Sequence, residues 1–172
     1  MSRAFVKEDD SGDPPIIPPR AALPPGATNY VTPLGLEQLR EEFSDLEAER
    51  AAVEANHEDE ANRTRQLTIL NGRLSALSSR LASARVIDLK SQPVNEVRFG
   101  ATVMLHTLGG SKKTVRKFQI VGVDEASIES GKISYMAPIA HAVIGAKTGE
   151  IVKLKMGRIE EDVEVVSITY AG

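Results

Sequence analysis

The stretch LGLEQLREEFSDLEAERAAV, Leu34 to Val53, places Leu36, Leu39, Phe43, Leu46 and Val53 at alternating steps of three and four, with Arg50 in one seam position. Leu67, Leu70, Leu74, Leu77, Leu81 and Ala84 repeat the same rhythm. Both are heptad stripes, which bury one seam of a helix against a partner. The polar stretch from Glu54 to Gln66 interrupts them. Two stripes with a short break predict an antiparallel helical hairpin with arms of about 22 residues, roughly 33 Å at 1.5 Å per residue. A rod of this kind has no internal pocket, so its function lies at its tip or along its sides. The polar seam residue Arg50 and the closing tip favour a hairpin within one chain, and hence a monomer, over a coiled-coil dimer.

Outward from the hairpin, Thr32-Pro33 is a helix start. Threonine caps free N–H groups, and proline at the first helical position lacks only a donor that has no partner there. Order is expected from Asn29-Tyr30-Val31. Before it, six of the nine prolines fall between Pro14 and Pro25, so residues 1–29 are expected to form a disordered, solvated, proline-rich tail. After Val94 the period changes to two. Val97, Phe99, Ala101, Val103 and Leu105 read as a half-buried strand. Gly109-Gly110 turns the chain into a partner strand over 114–123. Pro138–Ile144 reads as a short helix ending near Gly145, and 151–156 and 163–170 as two strands around Gly157. The expected fold is α+β: a hairpin over 30–88, then a small, strongly bent antiparallel sheet domain over 89–172.

The chain's 172 residues include 21 Lys or Arg and 24 Asp or Glu, for a net charge of -3. No run approaches the roughly 20 apolar residues of a membrane span, and the first residues lack the apolar core of an export signal. The absence of cysteine removes disulfides, thiol catalysis and Cys-type metal sites. His57, His106 and His141 are too far apart in sequence for a His-rich metal motif. A reducing cytoplasm is the expected setting. There is no dense basic patch with aromatics, phosphate loop or nucleophile elbow, so neither direct nucleic-acid binding nor an active site of its own is expected.

Several segments together resemble the bacterial GreA/GreB transcript cleavage factors: Val31 to Leu39, Ala84 to Asp88, Val97 to Val103, Ile120 to Ala126 and Ile133 to Gly145. The resemblance spans about residues 30–171, in order. It implies an FKBP-like shape for the C-terminal domain, which in the family docks on the rim of the RNA polymerase secondary channel while the hairpin enters the channel. It implies contact with nucleic acid only through the elongation complex. Acids at the family's hairpin tip help hold a magnesium ion and a water at the polymerase centre, so the only cofactor implied is that shared Mg²⁺. Hard carboxylate oxygens suit such an ion. Carried onto this chain, the resemblance makes Glu58, Asp59 and Glu60 the candidate tip acids. Tyr135, Met136, Ala137, Pro138 and Ile139 are the candidate docking residues, with Met136 and Pro138 as contacts and Ile144 as core.

The chain departs from the family pattern in three places. The family tip reads Asp-x-x-Glu-Asn-Ala. Here, aligning Glu60-Ala61 puts His57 at the Asp position, and aligning Asp59 puts Asn62 at the Glu position. The plain alternative for these acids is stabilisation of the second helix by its dipole. Second, Thr32 to Asp88 spans 57 residues, shorter than the family hairpin by about one heptad per arm, or about 10.5 Å of reach. This feature is shared with the short-hairpin relative Rnk. Third, Ala137-Pro138 stands where the family carries Ser-Pro. The resulting expectation is a channel-binding regulator with little or no cleavage stimulation. The alternatives are a fully active cleavage factor and, from domain shape alone, a prolyl isomerase, against which stands the lack of tryptophan for an aromatic-lined pocket.

Overall fold

The computed structural model describes residues 13–109 and 114–171. Residues 1–12 of the expected tail and most of the expected Gly109-Gly110 turn lie outside them. Helices α1 (Pro33–Ala55) and α2 (Glu60–Ser83) are the two arms of the hairpin. The chain divides into two compact units. Of the described residues, one holds 13–20 with Glu41–Ser79; the other holds Ala21–Arg40 with those from Arg80 onward.

In the helical unit the heptad reading accounts for the packing. Leu46, Leu70, Leu74 and Leu77 are buried, and Phe43, Val53 and Leu67 are half-buried. Arg50 at its seam position donates to Asn71 Oδ1 at 3.2 Å, so the polar seam residue is matched by a polar partner. Residues 13–20 of the expected solvated tail are mostly exposed and form no helix or strand, but Arg20 makes a forked ion pair with Glu42 at 2.5 and 3.2 Å.

The other unit is built on a five-stranded sheet in the order β5-β4-β3-β7-β6. The strands are β3 (Ala101–Leu108), β4 (Val115–Val121), β5 (Lys132–Ser134), β6 (Ile151–Met156) and β7 (Ile159–Tyr170). Four pair antiparallel as expected, and β5 adds a parallel edge against β4. A register shift at Met104/Leu105 bends the long β3–β7 ladder. Val97, Val103, Leu105, Ile120, Leu154 and Val163 are essentially sealed from solvent in the core, together with Val143 of helix α3 (Pro138–Val143).

Strands β1 (Asn29–Val31) and β2 (Ala84–Val86) form a separate parallel pair. Ala84, expected as the last seam position of the second arm, is therefore a strand residue. Asn29 closes α2 by donating to the Arg80 carbonyl at 3.0 Å and to Ser83 Oγ at 3.2 Å, which meets carbonyls that a helix end leaves open. Thr32 caps α1 as expected, accepting the Gly35 N–H at 2.9 Å. Its hydroxyl also donates to the buried Glu125 at 2.5 Å, and Glu125 pairs with Lys132 at 3.1 Å. Arg80 pairs with Asp124 at 2.8 Å.

Candidate functional site

The hairpin tip is closed by its own polar residues. Asn56 Oδ1 accepts the Glu58 N–H at 3.0 Å. Asp59 accepts the Asn62 N–H at 3.1 Å and so caps α2. Glu60 lies 3.4 Å from His57 and 3.4 Å from Arg63. Arg63 also reaches back to the Glu54 carbonyl at 3.0 and 3.2 Å, which serves the open end of a helix that has no basic residue in its last turn. Glu58, Asp59 and Glu60 are exposed and consecutive; Glu58 and Asp59 belong to the turn before α2, where both line a shallow groove with Glu49 and Asn62, and only Glu60 is in the helix. One is used as a cap and one in ion pairs. Among the described residues no three His, Cys, Asp or Glu side chains converge on a metal position.

Of the candidate docking residues, Tyr135, Met136 and Ala137 connect β5 to α3, and Pro138 and Ile139 open α3. Ser134 shapes the connection: its hydroxyl accepts the Met136 N–H at 3.0 Å and its carbonyl the Ala137 N–H at 2.9 Å. Pro138 is exposed, whereas Met136 and Ala137 are half-buried. Ile139 and Tyr135 lean on the sheet core. The Tyr135 ring meets Tyr30 and Phe99 edge-on, each at 5.6 Å between centroids, and its hydroxyl donates to the Thr28 carbonyl. Burial pushes the Tyr135 phenol above the usual tyrosine range. Ile144, expected in the core, is 39% exposed. It follows the last residue of α3 and borders a shallow groove of about 310 Å³ with Arg98, Phe99 and Tyr135.

Ala137 occupies the N-cap of α3 in extended geometry, with no side-chain cap. The hydroxyl missing relative to the Ser-Pro pattern is therefore a helix cap. Restoring it with Ala137→Ser is expected to stabilise the fold by about 1 kcal/mol, a rise in melting temperature of about 2–4 °C by calorimetry. Sequence reasoning missed the aromatic trio Tyr30, Phe99 and Tyr135 and the Asp124–Glu125 pair that anchors the helix ends. The Ile120 to Ala126 segment held the signal for the pair: two adjacent acids after an apolar strand.

Residues 92–170 match the family model described as "Transcription elongation factor, GreA/GreB, C-term". The chain is 34% identical to the transcription elongation factor GreA of Methylococcus capsulatus over 155 residues, covering 81% of this chain and 96% of that protein. It is 36% identical to the GreA of Francisella philomiragia, with 81% and 95% covered. Among solved structures, a prokaryotic transcription elongation factor GreA/GreB from Nitrosomonas europaea aligns at 20% identity with a TM-score of 0.39, over 82% of this chain and 98% of that one.

Proposed function

The chain belongs to the GreA/GreB family of transcription elongation factors, and from that premise we propose that it binds the rim of the RNA polymerase secondary channel and regulates elongation with little or no stimulation of RNA cleavage. In this reading the sheet domain docks through the β5–α3 connection, chiefly Met136 and Pro138, and the hairpin occupies the channel as a plug. The protein acts as a monomer in the cytoplasm. Among the described residues no helix is long and apolar enough to cross a membrane.

Hairpin length carries the proposal. Helices of 23 and 24 residues give arms of about 35 Å. The alignment with the Methylococcus protein has 155 positions, while 81% of a 172-residue chain is about 139 residues, so about 16 aligned positions have no counterpart here. Placed in the hairpin, that shortfall would amount to about one heptad from each arm. A lost heptad removes about 10.5 Å of reach, whereas oxygen–Mg²⁺ bonds tolerate errors of tenths of an ångström around 2.1 Å. The tip acids also do not fit the role: Asp59 is spent on a cap and Glu60 on ion pairs. The hairpin nonetheless fills the channel, because occupying volume demands no such accuracy.

Docking is tested with Pro138→Asp. Pro138 is exposed at the first position of α3, where no N–H is needed and an acid is tolerated. The melting temperature is therefore expected to stay within about 2 °C of wild type. Affinity for polymerase, measured by surface plasmon resonance, is expected to fall about tenfold, the effect of burying an unpaired charge in an apolar contact. Unchanged affinity would move the docking surface elsewhere, and a chain that binds no polymerase at all would end the proposal.

A further inference from the structure

Gly72 lies in the middle of α2, without the positive φ that favours glycine. Glycine costs about 1 kcal/mol there relative to alanine, so its position calls for a packing reason. The proline-rich segment supplies it. Ile17, 40% exposed, lays its side chain over Gly72, so that a Cβ added there would overlap Ile17 Cδ1, lie 3.1 and 3.3 Å from its Cγ1 and Cγ2, and require the Ile17 side chain to shift. On one side of this notch Asp13 and Pro15 line a shallow groove with Ala61, Arg65 and Thr68. On the other side Pro18, Pro19 and Arg20 line one with Arg73 and Ala76.

The segment thus runs along α2 in the same direction as the helix. From Asp13 to Arg20 a polyproline-like chain advances about 22 Å at 3.1 Å per residue. The helix from Ala61 to Ala76 advances about the same distance at 1.5 Å per residue. Proline brings two advantages to such a site. It has no N–H to leave unsatisfied against the helix flank, and its stiffness lowers the entropy lost on ordering. Arg20 then anchors the end, its guanidinium forked on Glu42 at 2.5 and 3.2 Å with only 19% of the side chain exposed. A forked pair of this kind sets register as well as affinity.

We propose that the α2 flank centred on Gly72, with Glu42 of α1, is a binding groove for a proline-rich segment of the type Ile-Pro-Pro-Arg, and that residues 13–20 of this chain occupy it in cis. Gly72 provides the notch for the aliphatic anchor and Glu42 the seat for the arginine. The proline-rich segment is then a strap on the hairpin.

The strap carries its own reporter, because trypsin cuts after Arg20. In the full-length protein, cleavage of the Arg20–Ala21 bond, followed by mass spectrometry, is expected to be about tenfold slower than in Ile17→Asp or Gly72→Leu, since proteolysis follows the open population. Glu42→Gln is expected to fall between them. Helicity by circular dichroism should hold, because leucine is a better helix former than glycine. Should Gly72→Leu disturb the hairpin, Ile17→Asp decides alone. Equal cleavage rates in wild type and Ile17→Asp would overturn the proposal.

Discussion

At concentrations that saturate a stalled elongation complex, this chain is expected to give at least about 100-fold less RNA cleavage than a factor with the longer hairpin, the scale of loss that ångström misplacement of a catalytic group produces. It is also expected to displace such a factor from polymerase, since under the proposed docking both would occupy the same rim. The tip variants separate length from chemistry. Glu58→Ala and Glu60→Ala remove exposed acids. Asp59→Asn removes the third charge and keeps the cap on α2, because asparagine caps as well as aspartate. The triple variant should bind polymerase and compete as wild type does. Robust cleavage that disappears with Asp59→Asn or Glu60→Ala would sink the length argument and restore the full cleavage role. Inserting one heptad into each arm should not by itself create cleavage, because the acids remain consecutive.

Where burial followed a period, the sequence was readable. Leu46, Leu70, Leu74 and Leu77 are buried because steps of three and four keep one face inward. Val103 and Leu105 are buried because steps of two do the same on a strand. Local chemistry was readable too: Thr32 caps α1, and Pro138 opens α3. What escaped was structure decided by distant partners. β5 has three residues and no period, and forms only because β4 offers it an edge. The heptad rhythm runs on to Ala84, yet α2 stops at Ser83 because Ala84, Arg85 and Val86 pair with Asn29, Tyr30 and Val31. Proline content made residues 13–20 look structureless, while their seat on the hairpin was encoded elsewhere, in Gly72 and Glu42. At the tip, the acids were legible as residues, but their use as cap and ion pairs depended on the turn that presents them.

Gly122→Val is expected to destabilise the protein by about 3 kcal/mol, a fall in melting temperature of about 6–12 °C by scanning calorimetry. Gly122 follows β4, and a Cβ there would lie 2.5 Å from the Tyr30 carbonyl oxygen and 3.6 Å from Val31 Cα. Both are backbone atoms of β1, which cannot retreat without leaving β2. Displacing β1 also disturbs its neighbours in the chain. Thr32 bonds Glu125, Asn29 bonds the end of α2, and Tyr30 packs on Tyr135 and Phe99. A single added side chain therefore acts on the anchorage of both helix ends and on the aromatic trio beside the proposed docking residues. Gly149→Ala is the control. Its φ of +92° costs about 1 kcal/mol to impose on alanine, but its added Cβ meets nothing within 4 Å. If Gly122→Val melts no lower than Gly149→Ala, close approach of β1 to Gly122 is not what seats the helices. If it melts far lower and polymerase affinity falls with it at a temperature where the fold persists, the docking residues depend on the seat of β1.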